Sequence, residues 1–111
     1  MIYREMIEKR RLKEIASIRA DAIARGEKVA DLLKRKYRVR RVILFGSICQ
    51  KAYIHRRSDI DLIVEGLKSD DFLRAGFDAW VLSKPFDVDI IPMERADKKI
   101  VEIAKKKGIE L

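Results

Sequence analysis

The stretch that decides the fold is Val42-Ile43-Leu44-Phe45-Gly46-Ser47 and, after eleven intervening residues, Asp59-Ile60-Asp61-Leu62-Ile63-Val64. Val42 to Phe45 is a continuous β-branched and aromatic run, which reads as a buried strand stopped by Gly46. Asp59 to Val64, closed by Glu65 and Gly66, reads as a second strand. Between them Ile48 to Tyr53 reads as a short helix, and His55, Arg56, Arg57 and Ser58 as a polar loop. A third strand, Phe86 to Ile91, carries Asp87 and Asp89 and is ended by Pro92.

Helical patterns surround these strands. Leu12, Ile15, Ala22, Val29 and Leu33 recur at helical spacing and predict a helix over residues 3–36, with Gly26 as a point where it divides in two. Ser69 reads as the N-cap of a helix ending near Ser83. Asp70 and Asp71 suit its first turn, and Leu73, Phe77, Trp80 and Val81 form its core-facing side. A last helix over residues 94–107 turns Ala96, Ile100 and Ile103 inward, ends on Lys105 to Lys107 and stops at Gly108. Strands alternating with helices give one α/β domain, a small sheet of at least three strands covered by helices, behind a helical N-terminal extension.

The length of 111 residues allows one modest core, since such a chain buries roughly 60–70% of its unfolded surface. Charged residues reach 40%, against about 25% in ordinary domains. With no Asn, no Thr and one Gln, this usage is like that of hyperthermophile proteins, and a thermophilic source is the expectation. One cysteine excludes an intramolecular disulfide and a Cys-rich zinc site. Charges throughout residues 4–11 leave no signal segment, and Val42 to Phe45 is far short of the ~18 apolar residues of a membrane span. The expected setting is the cytoplasm. Residues 1–41 hold 14 Lys and Arg against 6 Asp and Glu, so the whole net charge of +8 lies in the N-terminal part. Such a segment is either a solvated helix face or a surface for phosphate backbones or an acidic partner.

Three features suggest chemistry. Gly46-Ser47 follows a buried strand, where backbone amides can meet a phosphate oxygen. Asp59 and Asp61 are two apart, so on a strand both side chains leave the same face with Cα atoms about 6.5–7 Å apart. Carboxylates so placed can hold one or two Mg²⁺ ions, or can simply be solvated at a strand end. Asp89 argues for the first reading, because a carboxylate inside an otherwise apolar strand is costly unless paired or bound to a cation.

Taken together, Leu44-Phe45-Gly46-Ser47, Ser58-Asp59-Ile60-Asp61-Leu62 and Val88-Asp89-Ile90-Ile91 resemble the core of the DNA polymerase β superfamily, in particular its minimal nucleotidyltransferases. The resemblance covers residues 28–111 and takes in the closing Lys107-Gly108-Ile109-Glu110-Leu111. It implies a nucleotidyltransferase, palm-like fold over residues 1–111, with 1–36 as the basic helical segment and 37–111 as the catalytic core. It also implies that Asp59, Asp61 and Asp89 are the catalytic carboxylates and the ligands of Mg²⁺, two ions in all. Gly46, Ser47 and, by its charge, Lys51 would bind the nucleotide's phosphates. The implied reaction moves a nucleoside monophosphate, AMP from ATP, to a hydroxyl. The implied acceptor is a helical HEPN-type toxin, with this chain as its antitoxin.

Departures from that pattern leave alternatives open. Eleven residues rather than the commoner ten separate Ser47 from Asp59, and Ile48-Cys49-Gln50-Lys51-Ala52 replaces a more basic segment. The chain therefore also reads as an inactive nucleotide-binding or antitoxin subunit, or as a nucleic-acid binder through its basic helices. A homo-oligomer is compatible with each reading. Asp87 rivals Asp89 for the third position, while His55 reads as solvated, Cys49 as an idle thiol, and Trp80 with Phe77 as core packing.

Overall fold

The basic N-terminal segment forms a single helix, α1 (Ile2–Tyr37), in a computed structural model that describes residues 2–46, 48–49 and 59–111. At 1.5 Å per residue its 36 residues span about 54 Å, which sets the 56 Å long axis of the molecule. Residues 2–14 are exposed on every side, and burial begins beyond them at Ala22, Gly26, Val29, Ala30, Leu33 and Tyr37. Gly26 does not divide the helix. It faces the sheet, where a Cβ would lie 3.3 Å from Leu111 Cδ1 and 3.9 Å from Ile60 Cγ2, so packing on that side holds the helical backbone despite the poor propensity of glycine. Arg38, at φ 57°, ends the helix, and Val39 N–H donates back to the Leu33 carbonyl at 3.2 Å.

The strands are β1 (Arg41–Phe45), β2 (Ile60–Glu65), β3 (Val88–Pro92) and β4 (Ile109–Glu110), in the order β3-β2-β1-β4. β1 runs antiparallel to β2 and to β4, whereas β2 and β3 are parallel. The third strand starts two residues later than its apolar run suggests, so Asp89 lies on it and Asp87 precedes it. β4 is an addition to the three strands of the sequence reading. Its two residues pair with Ile43 and Leu44, and Leu111 N–H donates to the Val42 carbonyl at 2.9 Å.

Alternation gives the sheet two faces. Val42, Leu44, Ile60, Leu62, Val64 and Ile90 pack under α1 and α2 (Phe72–Ser83) in the main core. On the other face Ile43 and Ile63 meet Ala104 of α3 (Lys98–Lys107), with Phe45, Ile91 and Met93 against them.

Both amphipathic helices turn a different side inward from the one their large apolar residues suggest. Leu73, Phe77, Trp80 and Val81 are exposed, and the buried side of α2 is Ala75, Ala79 and Ser83, one small residue per turn. Small side chains let α2 lie close to α1, where Asp78 accepts from Lys36 Nζ at 2.8 Å and Tyr37 Oη at 2.6 Å. Phe77 and Trp80 are thus outside the core, 6.0 Å apart, with Lys84 Nζ 4.2 Å above the indole. Ser69 opens a 3₁₀ turn, Ser69–Asp71, and makes no capping bond. Ile100 and Ile103 are exposed as well, with Ala104 the buried residue of α3. That helix starts four residues later than expected, behind a 3₁₀ turn at Met93–Arg95, and its cap is Asp97, whose side chain accepts from Lys99 N–H at 3.0 Å. Among the described residues no helix is long and apolar enough to cross a membrane.

Candidate active site

Strand direction brings the chemistry-bearing residues to one pole of the sheet. Because β1 is antiparallel to β2, the end of β1 lies beside the beginning of β2, and Phe45 pairs with Asp61. Because β2 and β3 are parallel and in step, Asp61 pairs with Asp89. Cross-strand partners share a face, so Phe45, Asp61 and Asp89 stand side by side on the face opposite the main core.

Gly46 shapes this pole. It turns the chain at φ 87°, in the region that favours glycine, and a Cβ there would fall directly on Asp61 Oδ2. The bare backbone therefore leaves the space that the Asp61 carboxylate fills. Arg19 of α1 supports the turn by donating from Nε to the Ile48 carbonyl at 3.0 Å, a tie between the N-terminal helix and the site that sequence spacing does not reveal. Cys49 beside it is half-buried, its Sγ donating to the Leu44 carbonyl at 3.2 Å, and burial pushes the thiol up, as suits an idle cysteine.

Asp61 is half-buried and its carboxyl is pushed up to about 6, first by burial and then by the charges of Asp59 and Asp89. Asp59 and Asp89 are both exposed. Asp89, and not Asp87, is therefore the β3 carboxylate that faces Asp61; Asp87 instead uses its backbone carbonyl to accept from Ile60 N–H at 2.8 Å. Among the described residues no three His, Cys, Asp or Glu side chains close into a metal-holding cluster. The set fits a hard dication in its chemistry all the same. Its donors are carboxylate oxygens, and their mutual repulsion, felt at Asp61, is what a bound cation offsets. Ser47 and Lys51, assigned to the phosphates from sequence, lie outside the described residues, as do Gln50, His55, Arg56, Arg57 and all of the short helix expected over Ile48 to Tyr53 except Ile48 and Cys49, which lie in a turn.

The description "Polymerase beta, Nucleotidyltransferase" belongs to the family whose model matches residues 27–111. Among solved structures, one presented as a minimal nucleotidyltransferase is 27% identical, with a TM-score of 0.66, over 88% of this chain and 96% of that one. A mutant of the toxin-antitoxin MntA-HpeT is 24% identical over 77% of this chain and 69% of that one, with a TM-score of 0.62. A toxin-antitoxin crystallised with AMP-PNP is 21% identical over 77% and 71%, with a TM-score of 0.61. These last two are likenesses of fold. No curated protein matches the chain.

Proposed function

Because the chain belongs to the polymerase β nucleotidyltransferase family, we propose that it is a Mg²⁺-dependent minimal nucleotidyltransferase that moves AMP from ATP to a hydroxyl of a HEPN-type toxin and so acts as its antitoxin. The observation that carries this reading is the pairing of Asp61 with Asp89, with the Gly46 turn packed against the Asp61 carboxylate. Asp59, Asp61 and Asp89 would hold the metal, which supplies neutralisation of phosphate charge when bound. Gly46, with Ser47 and Lys51 from the sequence, receives the phosphates, on a turn that closes against the Asp61 carboxylate and so sets them beside the metal ligands. Asp89 lies exposed on β3, the edge strand of the sheet, where a bulky acceptor can approach, and takes the proton of the attacking hydroxyl. Phosphoryl transfer depends chiefly on positioning and charge, which suits so small a domain. ATP as donor is supported by the AMP-PNP bound in a structural neighbour, and a toxin as acceptor by the neighbours' toxin-antitoxin character.

The test is transfer of labelled AMP from Mg-ATP to the co-expressed neighbouring protein, beside an Asp59→Asn/Asp61→Asn control. Transfer that vanishes in the control is the expected result. Equal labelling in both would overturn the reading. Neutralisation by binding alone is the second reading, favoured by residues 2–14 of α1, which expose Ile2, Tyr3, Met6 and Ile7 away from the chain's own core. It requires the double variant to neutralise the toxin as well as the parent does.

A further inference from the structure

The four strands present their ends in a row, and the row continues past the carboxylates. Across the sheet from β3 to β4, the same pole carries Asp89, Asp61, Gly46 and then Lys107 with Gly108, since Ile109 at the start of β4 pairs with Leu44 near the end of β1. Between the Gly46 turn and the end of α3 lies a cavity of about 420 Å³ lined by Phe45, Gly46, Cys49, Ile103, Lys107 and Gly108. Lys107 is the one charged side chain among these lining residues.

The position of Lys107 is fixed by its neighbour. A Cβ on Gly108 would run into the Ala104 carbonyl and lie 2.7 Å from both Ile43 Cγ2 and the Leu44 carbonyl. The absence of a side chain lets the end of α3 close onto β1, where the Gly108 N–H donates to the Ala104 carbonyl at 2.7 Å and β4 begins at once. Lys107 is thereby held at the rim of the cavity that adjoins the phosphate-receiving turn. Phe45, half-buried, and Ile103, exposed, border the cavity, and the Lys107 ammonium is itself exposed, so an anion can reach it from solvent.

We propose that this cavity is the subsite for the β- and γ-phosphates of the nucleoside triphosphate, with Lys107 as the cation that stabilises the departing pyrophosphate. The assignment rests on the function proposed above and names a residue that the carboxylate motif does not contain. With the α-phosphate beside Asp61, a triphosphate passing over Gly46 meets Lys107 next, about 10 Å or two strand spacings from β2. In the transfer, the acceptor oxygen bonds to the α-phosphorus as the bond from that phosphorus to the α,β-bridging oxygen breaks. The hydroxyl proton passes to Asp89, and the electron pair leaves with pyrophosphate. The charge gathering on the bridging oxygen is what the Lys107 ammonium offsets.

The experiment compares Lys107→Ala, Lys107→Arg and Lys106→Ala with the parent. Binding of ATP, AMP and inorganic pyrophosphate is measured by calorimetry in EDTA, and AMP transfer is measured in Mg²⁺. Lys106→Ala removes the same charge from the same helix end without touching the cavity. Lys107→Ala should weaken ATP and pyrophosphate about tenfold, as for a lost charge-assisted contact, with AMP unchanged and Lys107→Arg largely restored. Unaltered binding in Lys107→Ala, or an equal loss in Lys106→Ala, overturns the assignment. So does an equal loss for AMP, which would place the nucleoside in the cavity. If the parent transfers AMP while Lys107→Ala is unaffected, the subsite falls and the carboxylate reading stands; if the parent neither transfers AMP nor binds ATP, both fall.

Discussion

Replacing Asp61 by Asn should abolish transfer and at the same time make the metal-free protein more stable. The folded state raises the Asp61 carboxyl from 3.8 to about 6 through burial and the charges of Asp59 and Asp89. Between those two values the folded protein keeps a proton that the unfolded chain has lost, so stability falls as pH rises through that window and stays at its lower level above it. Two pH units correspond to about 3 kcal/mol, and solvent screening of a half-exposed carboxylate reduces this to about 1–1.5 kcal/mol. Asparagine has nearly the shape of aspartate and no charge. In EDTA at pH 7.5 Asp61→Asn should therefore gain about 1–1.5 kcal/mol, or roughly 4–8 °C in Tm. The gain should shrink to nothing near pH 4, where the parent's own carboxyl is protonated. Millimolar Mg²⁺ should close the gap, because a cation bound only by the folded parent stabilises it by mass action. Urea unfolding followed by circular dichroism between pH 4 and 8, in EDTA and in Mg²⁺, measures every term. A variant less stable than the parent at pH 7.5 in EDTA, or a gain independent of pH, would refute the reasoning.

Gly46→Ala should lose transfer and destabilise the fold by about 1–3 kcal/mol, since it meets both an unfavourable φ and the Asp61 carboxylate; full transfer in this variant would remove Gly46 from the site. Gly108→Ala forces a methyl group onto the Ala104 and Leu44 carbonyls, and should cost about 2 kcal/mol or more in urea while speeding hydrogen exchange at Leu111, whose N–H is bonded to Val42. Tyr37→Phe removes the hydroxyl that donates to Asp78 and should cost about 1 kcal/mol, with transfer kinetics unchanged, as Asp78 keeps Lys36. Equal stability of Tyr37→Phe and the parent would show that this bond adds nothing to the docking of α1 on α2.

The core strands were legible because their signal is local. A β-branched run ended by glycine in β1, and alternation around Asp61 in β2, depend on nothing distant, although β2 begins one residue later than expected and leaves Asp59 just before it. β4 was not legible: two residues carry no periodicity, and Ile109 and Glu110 become a strand only because Gly108 lets them reach β1. The helix faces were misread for a related reason. Ranking residues by size makes Leu73, Phe77 and Trp80 the buried side of α2, yet the distance between packed helices is set by the contacting side chains, and Ala75, Ala79 and Ser83 give the closer fit. The i, i+4, i+8 spacing of those small residues was present in the sequence as the competing signal.

For the site, the residue types could be read and their neighbours could not. Parity within each strand puts Asp59 with Asp61 on one face and Asp87 with Asp89 on one face, but it does not say which carboxylate of one strand meets which of the other. That choice belongs to the parallel register of β2 with β3, which sets Asp61 against Asp89 and leaves Asp87 before the strand. The same logic applies to Lys107. In sequence it ends a helix with a favourable dipole and lies 46 residues beyond Asp61. The antiparallel pairing of β4 with β1 converts that separation into a place in the row of Asp89, Asp61 and Gly46. Strand order and direction alone thus turn four residues from four segments into an arrangement graded from carboxylate to cation, which is the polarity the proposed transfer requires, with its acceptor at one end and its pyrophosphate at the other.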